Sequence, residues 1–473
     1  MHLPESFITQ MKGLLKEEYP AFEQSIVQEQ SVSIRYNPAK METEATLSQP
    51  LEQVPWSTCG YYLKERPSFT FDPLLHAGVY YVQEASSMFL EQIIRQYVHQ
   101  SVRYLDLCAA PGGKTTLAIA SLPAGSLIVC NEIERKRCHI LAENIAKWGS
   151  PYSVVMNNCA SDFSDMTHYF DVILTDVPCS GEGMFRKDEQ AIAEWSEVNV
   201  SNCVARQQEI LQHIWPALRP GGLLIYSTCT YNIEEDEKML EYICHELGAT
   251  VLPVHTETEW GIHQALYGDN PVYRFMPHST KGEGLFMAVL RKNEAQESDD
   301  RLSLLREFRK KERKKSAKSS PSGLPFPNAV KNWVRNPESF HFELVGDRLM
   351  AYPTEYADDM NMLATRLNPL QSGLLLGNMK GKDVIPAHSL ALSVSFNRDA
   401  FPSVEVDFET AVAYLRREAI VLPEDTTKGF VLITYRHYPL GWVKNIGSRS
   451  NNLYPQEWRI RSGFLPQERW CAL

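Results

Sequence analysis

The sequence has no long hydrophobic run, no paired-cysteine motif and no excess of basic charge. It contains no stretch of about 18 consecutive apolar residues, so we expect no membrane-spanning helix. The N-terminal residues MHLPESFITQ lack the basic start and apolar run of a secretory signal peptide. The ten cysteines form no CxxC pair and no zinc-like spacing, so we expect no metal site. The net charge of -11 argues against a protein that coats nucleic acid.

These absences predict a cytoplasmic protein with reduced thiols, no membrane partner and no metal. We also expect a monomer. A chain of 473 residues is too long for one domain. Composition and hydrophobic periodicity divide it into five predicted parts: an N-terminal α+β segment (1–97), a segment of alternating strands and helices (98–292), a charged linker (293–325), a first C-terminal domain (326–395) and a second, small one (396–473).

The alternation of strands and helices in 98–292 predicts an α/β fold with a doubly wound, mostly parallel sheet. Buried-type strands read VRYLDL, SLIVCNE, FDVILTD and GGLLIYSTC. Between them, RKRCHILAENIAKWG has an apolar stripe at helical spacing and a terminal glycine suited to a C-cap, Gly149. Asn232 and Glu235 resemble a capping box at the start of a helix over IEEDEKMLEYICHEL.

The loop LDLCAAPGGKTT, residues 105–116, is one letter short of a phosphate-binding P-loop, because Cys108 stands where the first glycine belongs. One interpretation is an ATP site, with Lys114 on the phosphates and Asp176 holding Mg²⁺. A second is a nucleoside site, in which an acid about 20 residues further on binds the ribose hydroxyls. Glu132, 19 residues after Gly113, fits this role. A third is a simple strand-to-helix turn, and the loop alone leaves all three open.

Two cysteines follow the ends of predicted strands. Cys179 lies in Asp176-Val177-Pro178-Cys179-Ser180, and Cys229 follows the strand ending in Ser227-Thr228. In an open α/β sheet, ligands bind beyond the carboxyl ends of the strands. Two thiols at that edge favour a catalytic role for the cysteines. They argue against an ATPase, because ATP hydrolysis needs no pair of thiols. Other cysteines are expected to fill the core, namely Cys130, Cys138, Cys203 and Cys244.

Three of these motifs, LDLCAAPGGKTT, TDVPCSGEGMFRKD and YSTCTYNIEEDE, resemble the signatures of the Nol/Nop/Sun family of RNA cytosine-5 methyltransferases. AGVYYVQEASSMF resembles the segment that precedes the catalytic domain in that family. YPLGWVKNIGSRSNNLYPQEWRIRSG is similar to the PUA-like domain of the bacterial RsmF-like branch, which modifies small-subunit ribosomal RNA. The resemblance implies a Rossmann-like, S-adenosylmethionine-dependent methyltransferase core with an N-terminal RNA-binding α+β segment and small C-terminal domains, one of them PUA-like.

The resemblance also implies roles for individual residues. Cys229 would be the nucleophile, Cys179 would assist product release, and Asp176 would hydrogen-bond the target base. The cofactor-binding positions would be Cys108, Ala109, Ala110, Pro111, Gly112, Gly113, Lys114, Glu132, Cys159 and Asp176. At Cys159 the family usually carries an aspartate near the adenine. A thiol is a weaker hydrogen-bond partner, which predicts lower cofactor affinity unless Asn158 or Asp162 compensates.

The implied function is transfer of a methyl group to carbon 5 of a cytosine in RNA, foremost 16S ribosomal RNA, through a covalent cysteine adduct. Two alternatives stay open: a transfer-RNA cytosine-5 methyltransferase, and a catalytically weak, RNA-binding ribosome-assembly factor. Candidate RNA contacts are the N-terminal segment, Arg186-Lys187, the linker and the C-terminal domain.

Two basic regions each allow a second interpretation. FRKKERKKSAK (308–318) carries seven Lys/Arg and one Glu, and is either a solvated helix face or a phosphate-binding segment. The last 46 residues combine seven Lys/Arg with interleaved aromatics. Those aromatics either stack on RNA bases or form the core of a small domain, and composition favours the core.

Overall fold

The computed structural model describes residues 2–41, 51–293, 303–310, 326–381, 383–464 and 470. Residues 311–318, which hold most of the predicted basic cluster, lie outside the described residues. Within the described ranges, no helix has the length and hydropathy needed to cross a membrane.

The N-terminal part combines a helical hairpin with a small antiparallel sheet of order β2-β3-β1-β4. The strand predicted from SVSIRY is confirmed as β1, which ends before a turn at Pro38. The helix predicted around residues 82–98 is confirmed only from Leu90, after a 3₁₀ turn. The elements are α1 (Glu5–Leu15), α2 (Tyr19–Ile26), β1 (Val32–Tyr36), β2 (Glu52–Gln53), β3 (Gly60–Leu63), α3 (Pro73–His76), β4 (Tyr80–Val82) and α4 (Leu90–Tyr97).

A nine-stranded sheet forms the centre of the molecule, with main order β10-β12-β9-β8-β5-β6-β7-β15 and β11 paired to β12. The strands β7, β6, β5, β8 and β9 run parallel, so the predicted doubly wound sheet is confirmed. Its elements are β5 (Arg103–Asp106), α5 (Gly113–Ser121), β6 (Leu127–Asn131), α6 (Arg135–Trp148), β7 (Ser153–Met156), β8 (Phe170–Asp176), α7 (Glu189–Glu194), α8 (Glu197–Ile214), β9 (Leu218–Thr228), α9 (Glu237–Glu246), β10 (Ala249–Leu252), β11 (Tyr273–Phe275) and β12 (Leu285–Lys292).

A helix ends where the sequence predicts when a local capping residue determines the boundary. Helix α6 ends as predicted, with Gly149 in the left-handed conformation at φ 89°. Helix α9, in contrast, begins at Glu237 rather than at the predicted Ile233. Glu235 and Asp236 are fully buried and bonded into the interior, so the residues before Glu237 form a turn instead of a first helical turn.

The C-terminal segments contribute one strand to the central sheet and form two further sheets. Strand β15 pairs antiparallel with β7 at the edge of the nine-stranded sheet. The smaller sheets have the orders β13-β14-β16-β17 and β18-β19-β20-β21. The elements are α10 (303–310), α11 (Asn328–Lys331), β13 (Phe340–Val345), β14 (Arg348–Pro353), α12 (Ala357–Arg366), β15 (Pro369–Ser372), β16 (Leu374–Lys380), β17 (Asp383–Pro386), α13 (His388–Leu392), β18 (Ser403–Glu405), α14 (Phe408–Leu415), β19 (Gly429–Tyr435), β20 (Tyr438–Asn445) and β21 (Ser450–Asn452).

The C-terminal aromatics form a core. Of the five aromatic residues between 435 and 458, four are buried, namely Tyr435, Tyr438, Trp442 and Tyr454. The fifth, Trp458, is partly buried and packs against the cluster that contains the three tyrosines. The interpretation of these residues as core is therefore confirmed. Of the cysteines expected in the core, Cys130, Cys138 and Cys203 are buried, whereas Cys244 is half-buried.

Candidate active site

The candidate site lies at the carboxyl ends of the parallel strands. After β5, the loop of residues 107–112 turns into α5, whose first residue is Gly113. Gly112 adopts a left-handed conformation with φ 112°, and a Cβ there would lie 3.2 Å from Leu141 Cδ1. The positive φ favours glycine at this turn, and any larger side chain would also have to displace the end of Leu141 by a few tenths of an ångström. The first amides of α5 have no acceptor within the helix, so they face the strand ends as donors.

Asp106, the last residue of β5, and Glu132, which directly follows β6, are buried carboxylates. Asp106 Oδ2 accepts a hydrogen bond from Thr115 Oγ1 at 2.6 Å, whereas its buried Oδ1 has no partner among the described residues. Burial raises the pKa of Asp106 to about 7, and the charges of Asp176 and Glu132 add to the effect. Glu132 is 3% exposed, and its Oε1 accepts from the backbone of Glu134 at 2.9 Å.

Cys159 begins the turn after β7 and is exposed. Its backbone N–H donates to Asp162 Oδ2 at 2.9 Å, and Asn158 Nδ2 donates to the same oxygen at 2.9 Å. Asn158 is tied to the neighbouring strand end, since its own N–H donates to Asn131 Oδ1 at 3.0 Å. The carboxylate of Asp162 therefore supports this turn from within.

Asp176 stands at the end of β8 between two hydrogen-bond donors. Lys114 Nζ lies 2.8 Å from Asp176 Oδ2, and Ser227 Oγ donates to Asp176 Oδ1 at 2.5 Å. Burial lowers the pKa of Lys114, but the charge and hydrogen bond of Asp176, with smaller effects of Cys229 and Asp106, outweigh it and the net pKa is raised. Lys114 is therefore a cation in the site.

The two cysteines at the strand ends are in contact. Cys179 Sγ and Cys229 Sγ lie 3.1 Å apart, and the N–H of Cys229 donates to Cys179 Sγ at 3.3 Å. The contact with Cys229 and then burial raise the pKa of Cys179 well above the usual thiol value. Cys179 therefore stays protonated at neutral pH and can donate its S–H to the second sulfur.

Sequence reasoning missed Ser227 as a partner of Asp176, although a signal for it existed. Parallel strands β8 and β9 place Asp176 and Ser227 side by side in register. A polar residue at the end of the neighbouring strand is therefore well placed to donate a hydrogen bond to the carboxylate. The ion pair of Lys114 with Asp176 had no such signal, because it depends on the direction of a long side chain.

The expectation that Arg186 meets RNA phosphates is wrong for that side chain. Arg186 is only 6% exposed, and its guanidinium donates to the backbone carbonyls of Glu29 at 2.9 Å and Gly282 at 3.3 Å. It lies 3.5 Å from Glu283 Oε2. Arg186 thus joins the N-terminal hairpin to the central domain. Lys187 is more exposed, at 29%.

Comparison with known families shows to which family the chain belongs. Residues 96–291 match the family described as 16S rRNA methyltransferase RsmB/F. Residues 3–85 match the N-terminal domain of 16S rRNA methyltransferase RsmF, and residues 401–460 match the methyltransferase RsmF PUA domain. The chain belongs to the RsmB/F family of 16S rRNA methyltransferases, in its RsmF branch.

Relatives of this RsmF-family chain match it along nearly all of its length. It is 29% identical to ribosomal RNA small subunit methyltransferase F of Erwinia tasmaniensis, over 98% of each chain. It is 28% identical to the protein of the same name from Escherichia coli, again over 98% of each chain. Both matches therefore run over nearly the whole length of the two chains compared.

Two solved structures from Pyrococcus horikoshii share the fold. A methyltransferase homologue superposes with a TM-score of 0.52 and 22% identity, over 61% of this chain and 95% of the other. NSun6 with SFG gives a TM-score of 0.52 and 19% identity, over 62% of this chain and 99% of the other. The RsmF-family core is thus a Rossmann-like methyltransferase core.

The methyl donor of this S-adenosylmethionine-dependent family fits the residues at the strand ends. Glu132 has a buried carboxylate just after a strand end, where carboxylates of Rossmann-like sheets accept hydrogen bonds from ribose hydroxyls. The unpartnered Oδ1 of Asp106 is a further buried acceptor. The glycine turn at Gly112 lets the backbone approach a ligand closely. S-adenosylmethionine carries no phosphates, which agrees with the incomplete P-loop.

Proposed function

We propose that this chain methylates carbon 5 of a cytosine in 16S ribosomal RNA through a covalent adduct with Cys229. The observation that carries the proposal is the contact of the two sulfurs of Cys179 and Cys229 at 3.1 Å, at the strand edge that also holds Lys114 and Asp176. A methyltransferase acting on an already nucleophilic atom has no use for a thiol pair. Carbon 5 of cytosine is not nucleophilic enough and needs covalent activation.

The thiolate of Cys229 adds to carbon 6 of the cytosine, and carbon 5 becomes enamine-like. Bound S-adenosylmethionine would supply an electrophilic methyl group to carbon 5, and cleavage of its sulfur–methyl bond would leave the neutral thioether S-adenosylhomocysteine. After carbon 5 has gained the methyl group, a base removes the proton from carbon 5, the carbon 6–sulfur bond breaks, and the electron pair returns to Cys229 as thiolate. The target base must leave its helical stack to reach the sulfurs.

The assignment of the nucleophile to Cys229 follows the motif around that residue, and the contact between the two sulfurs is compatible with it. A thiol that remains protonated is a poor nucleophile, but its S–H can donate a hydrogen bond to a neighbouring sulfur. Cys179 can therefore stabilise the departing thiolate of Cys229 across the 3.1 Å contact. The cation of Lys114 interacts with Cys229, so positive charge is present where a thiolate forms.

Asp176 is proposed to hydrogen-bond the cytosine ring. A carboxylate favours a protonated ring nitrogen, which withdraws electrons from carbon 6 and promotes attack by the thiolate. Lys114 and Ser227 hold both oxygens of Asp176, at 2.8 and 2.5 Å, and fix its orientation before RNA binds. Glu132, Cys159 and the loop from Cys108 to Lys114 are proposed to hold the cofactor.

The proposed partner is small-subunit RNA, held by the N-terminal and PUA domains. We also propose that the chain works as a monomer in the cytoplasm, without a metal. All nine cysteines among the described residues are free thiols, including the pair in contact, in agreement with a reducing compartment.

The test combines methyl transfer and adduct formation in two variants. Wild type, Cys229→Ala and Cys179→Ala are mixed with labelled S-adenosylmethionine and unmodified 16S RNA or small subunits. Cys229→Ala should lose methyl transfer and the protein–RNA adduct on a denaturing gel. Cys179→Ala should form the adduct but fail to release it. The matched control is Cys203→Ala, a buried thiol on α8, which should behave as wild type.

The opposite pattern in the two variants would assign the nucleophile to Cys179. Transfer to transfer RNA but not to 16S RNA or subunits would favour the transfer-RNA alternative. Binding of RNA without transfer to any of these substrates would favour the assembly factor.

A further inference from the structure

A buried carboxylate, Glu235, lies behind the two loops that carry the cysteines. It is 0% exposed and follows Cys229 by six residues, in the turn before α9. Burial raises the pKa of Glu235, while its hydrogen bonds with Ser180 and Asn232 oppose that rise. A buried carboxylate destabilises the fold unless several hydrogen-bond donors satisfy its oxygens.

On the side of Cys179, the contacts of Glu235 hold the backbone next to that residue. The N–H of Ser180 donates to Glu235 Oε2 at 3.0 Å. Gln207 Nε2, on α8, donates to the same oxygen at 2.8 Å and to the carbonyl of Pro178 at 3.0 Å. The residues immediately before and after Cys179 are therefore both fixed through Glu235 and Gln207.

On the side of Cys229, the contacts run through Asn232. Asn232 Nδ2 donates to Glu235 Oε1 at 2.8 Å and to Thr230 Oγ1 at 2.8 Å. Thr230 Oγ1 is also 3.0 Å from Ser180 Oγ, which links the two loops directly. The same carboxylate thus receives donors from the loop of Cys179, the loop of Cys229 and helix α8.

Glu235 is the acceptor common to all three donors, and only a carboxylate can be that acceptor. Both of its oxygens accept, whereas a glutamine would direct an NH₂ group at another donor. In Glu235→Gln at least one of the bonds to Ser180, Asn232 or Gln207 must break. The two cysteine loops then lose one of the connections that hold them at a fixed separation, whereas the direct contact between Ser180 and Thr230 remains.

We propose that Glu235 is a positioning residue that sets the distance between Cys179 and Cys229. It acts through the backbone beside the cysteines and does not touch RNA or cofactor. The importance of Glu235 for catalysis rests on the proposed function. Its effect on the distance between the two sulfurs does not. Displacement of reacting groups by about 1 Å costs roughly 100-fold in rate.

The geometric effect is tested by thiol oxidation without RNA or cofactor. Diamide, a two-electron oxidant, converts the two neighbouring thiols into a disulfide and is itself reduced to the hydrazine. The rate of Cys179–Cys229 disulfide formation is followed by peptide mass spectrometry. We expect Glu235→Gln to slow it at least about tenfold relative to wild type. An unchanged rate would overturn the proposal.

The matched control is Glu91→Gln. Glu91 lies on helix α4 in the N-terminal part and is also buried, at 3% exposure. Its carboxylate accepts hydrogen bonds from Ser57 Oγ at 2.8 Å and from the backbone N–H of Thr58. This variant should show the wild-type rate of disulfide formation. Thermal unfolding of both variants shows whether each is folded. If Glu235→Gln does not fold, Gln207→Leu, which removes one donor and the bond to Pro178, replaces it in the same measurement.

Activity then separates positioning from general stability. In single-turnover reactions with small subunits, Glu235→Gln should lower the rate of methyl transfer about 100-fold, with KM for RNA and cofactor affinity within threefold of wild type. A rise in KM with unchanged rate would contradict a positioning role. If wild type itself transfers no methyl group, the proposed function fails, while the oxidation experiment still decides the geometric role of Glu235.

Discussion

At the scale of single residues, Lys114 supplies the positive charge that offsets the carboxylate of Asp176 in the site. Its ammonium is paired with Asp176 at 2.8 Å and is only 16% exposed, so water screens it weakly. Lys114 also interacts with Cys229, so removal of the ammonium takes away positive charge next to that sulfur.

We therefore predict that Lys114→Met reduces the reactivity of Cys229. Alkylation of Cys229 by iodoacetamide at pH 7.5, followed by peptide mass spectrometry, should slow about tenfold, which corresponds to roughly 1.4 kcal/mol. Lys238→Met is the control, because Lys238 pairs with Glu234 on the surface of α9, away from the sulfurs. An alkylation rate equal to that of wild type would show that Lys114 does not favour the thiolate.

The residue scale also shows how far the sequence predicts the site. Cys179, Cys229 and Asp176 were recognisable because each lies at a strand end or shortly after one, and parallel strands bring such ends to one edge. Residues further from the strands could not be assigned in this way. Glu235 reads as a capping residue in the sequence, yet it is turned inward and bonds to three different segments.

At the scale of elements, the edge strand β15 links the C-terminal part to the turn that carries Cys159. The N–H of Asn368, just before β15, donates to Asn158 Oδ1 at 2.9 Å. The N–H of Asn157 donates to the carbonyl of Asn368 at 3.0 Å. A segment of the chain more than 200 residues away therefore supports a turn of the proposed cofactor site.

This pairing could not be predicted from the sequence. The segment 326–395 carries no recognisable motif, and the partner of an edge strand is decided by distant contacts rather than by local periodicity. The parallel core, in contrast, was predictable, because each buried strand and each amphipathic helix has its own local pattern. The late start of α9 was missed because the burial of Glu235 and Asp236 depends on tertiary contacts.

We predict that Asn158→Ala loosens both β15 and the turn at Cys159. The variant loses an acceptor for Asn368 and a donor to Asp162 Oδ2, each worth about 1 kcal/mol. Hydrogen exchange should become faster in residues 368–372, and S-adenosylmethionine should bind about five- to tenfold more weakly in calorimetry. Asn361→Ala, on α12, serves as the control; wild-type exchange and affinity in Asn158→Ala would refute the link.

At the scale of the whole molecule, three parts of the chain meet around buried basic groups. Lys40 Nζ, from the N-terminal part, donates to the carbonyls of Ala77 at 2.7 Å and Lys147 at 2.6 Å. His388, from the C-terminal part, packs its ring 5.0 Å from Tyr454 and 5.1 Å from Trp458. Both ring nitrogens of His388 are shielded from water and have no hydrogen-bond partner among the described residues.

This junction makes the stability of the molecule dependent on pH. Burial, and then the charges of Lys147, His76 and Lys40, lower the pKa of His388 from 6.5 to about 3. The folded protein keeps His388 neutral, whereas the unfolded chain takes up a proton below pH 6.5. The unfolded state therefore binds more protons below pH 6.5 than the folded state does. The free energy of unfolding accordingly decreases as the pH falls from 6.5 towards 3.

We predict that acidification from pH 6.5 to 5 lowers the free energy of unfolding by about 2 kcal/mol through His388. His388→Leu, a side chain of similar size without a titrating group, should flatten the dependence of unfolding on pH by that amount. Urea unfolding at pH 5, 6, 7 and 8, monitored by tryptophan fluorescence, measures it. His255→Leu is the control, because the His255 side chain is 75% exposed and faces solvent rather than the junction. A pH dependence in His388→Leu as steep as in wild type would mean that other buried groups, with His76 first among them, carry the acid sensitivity of the junction.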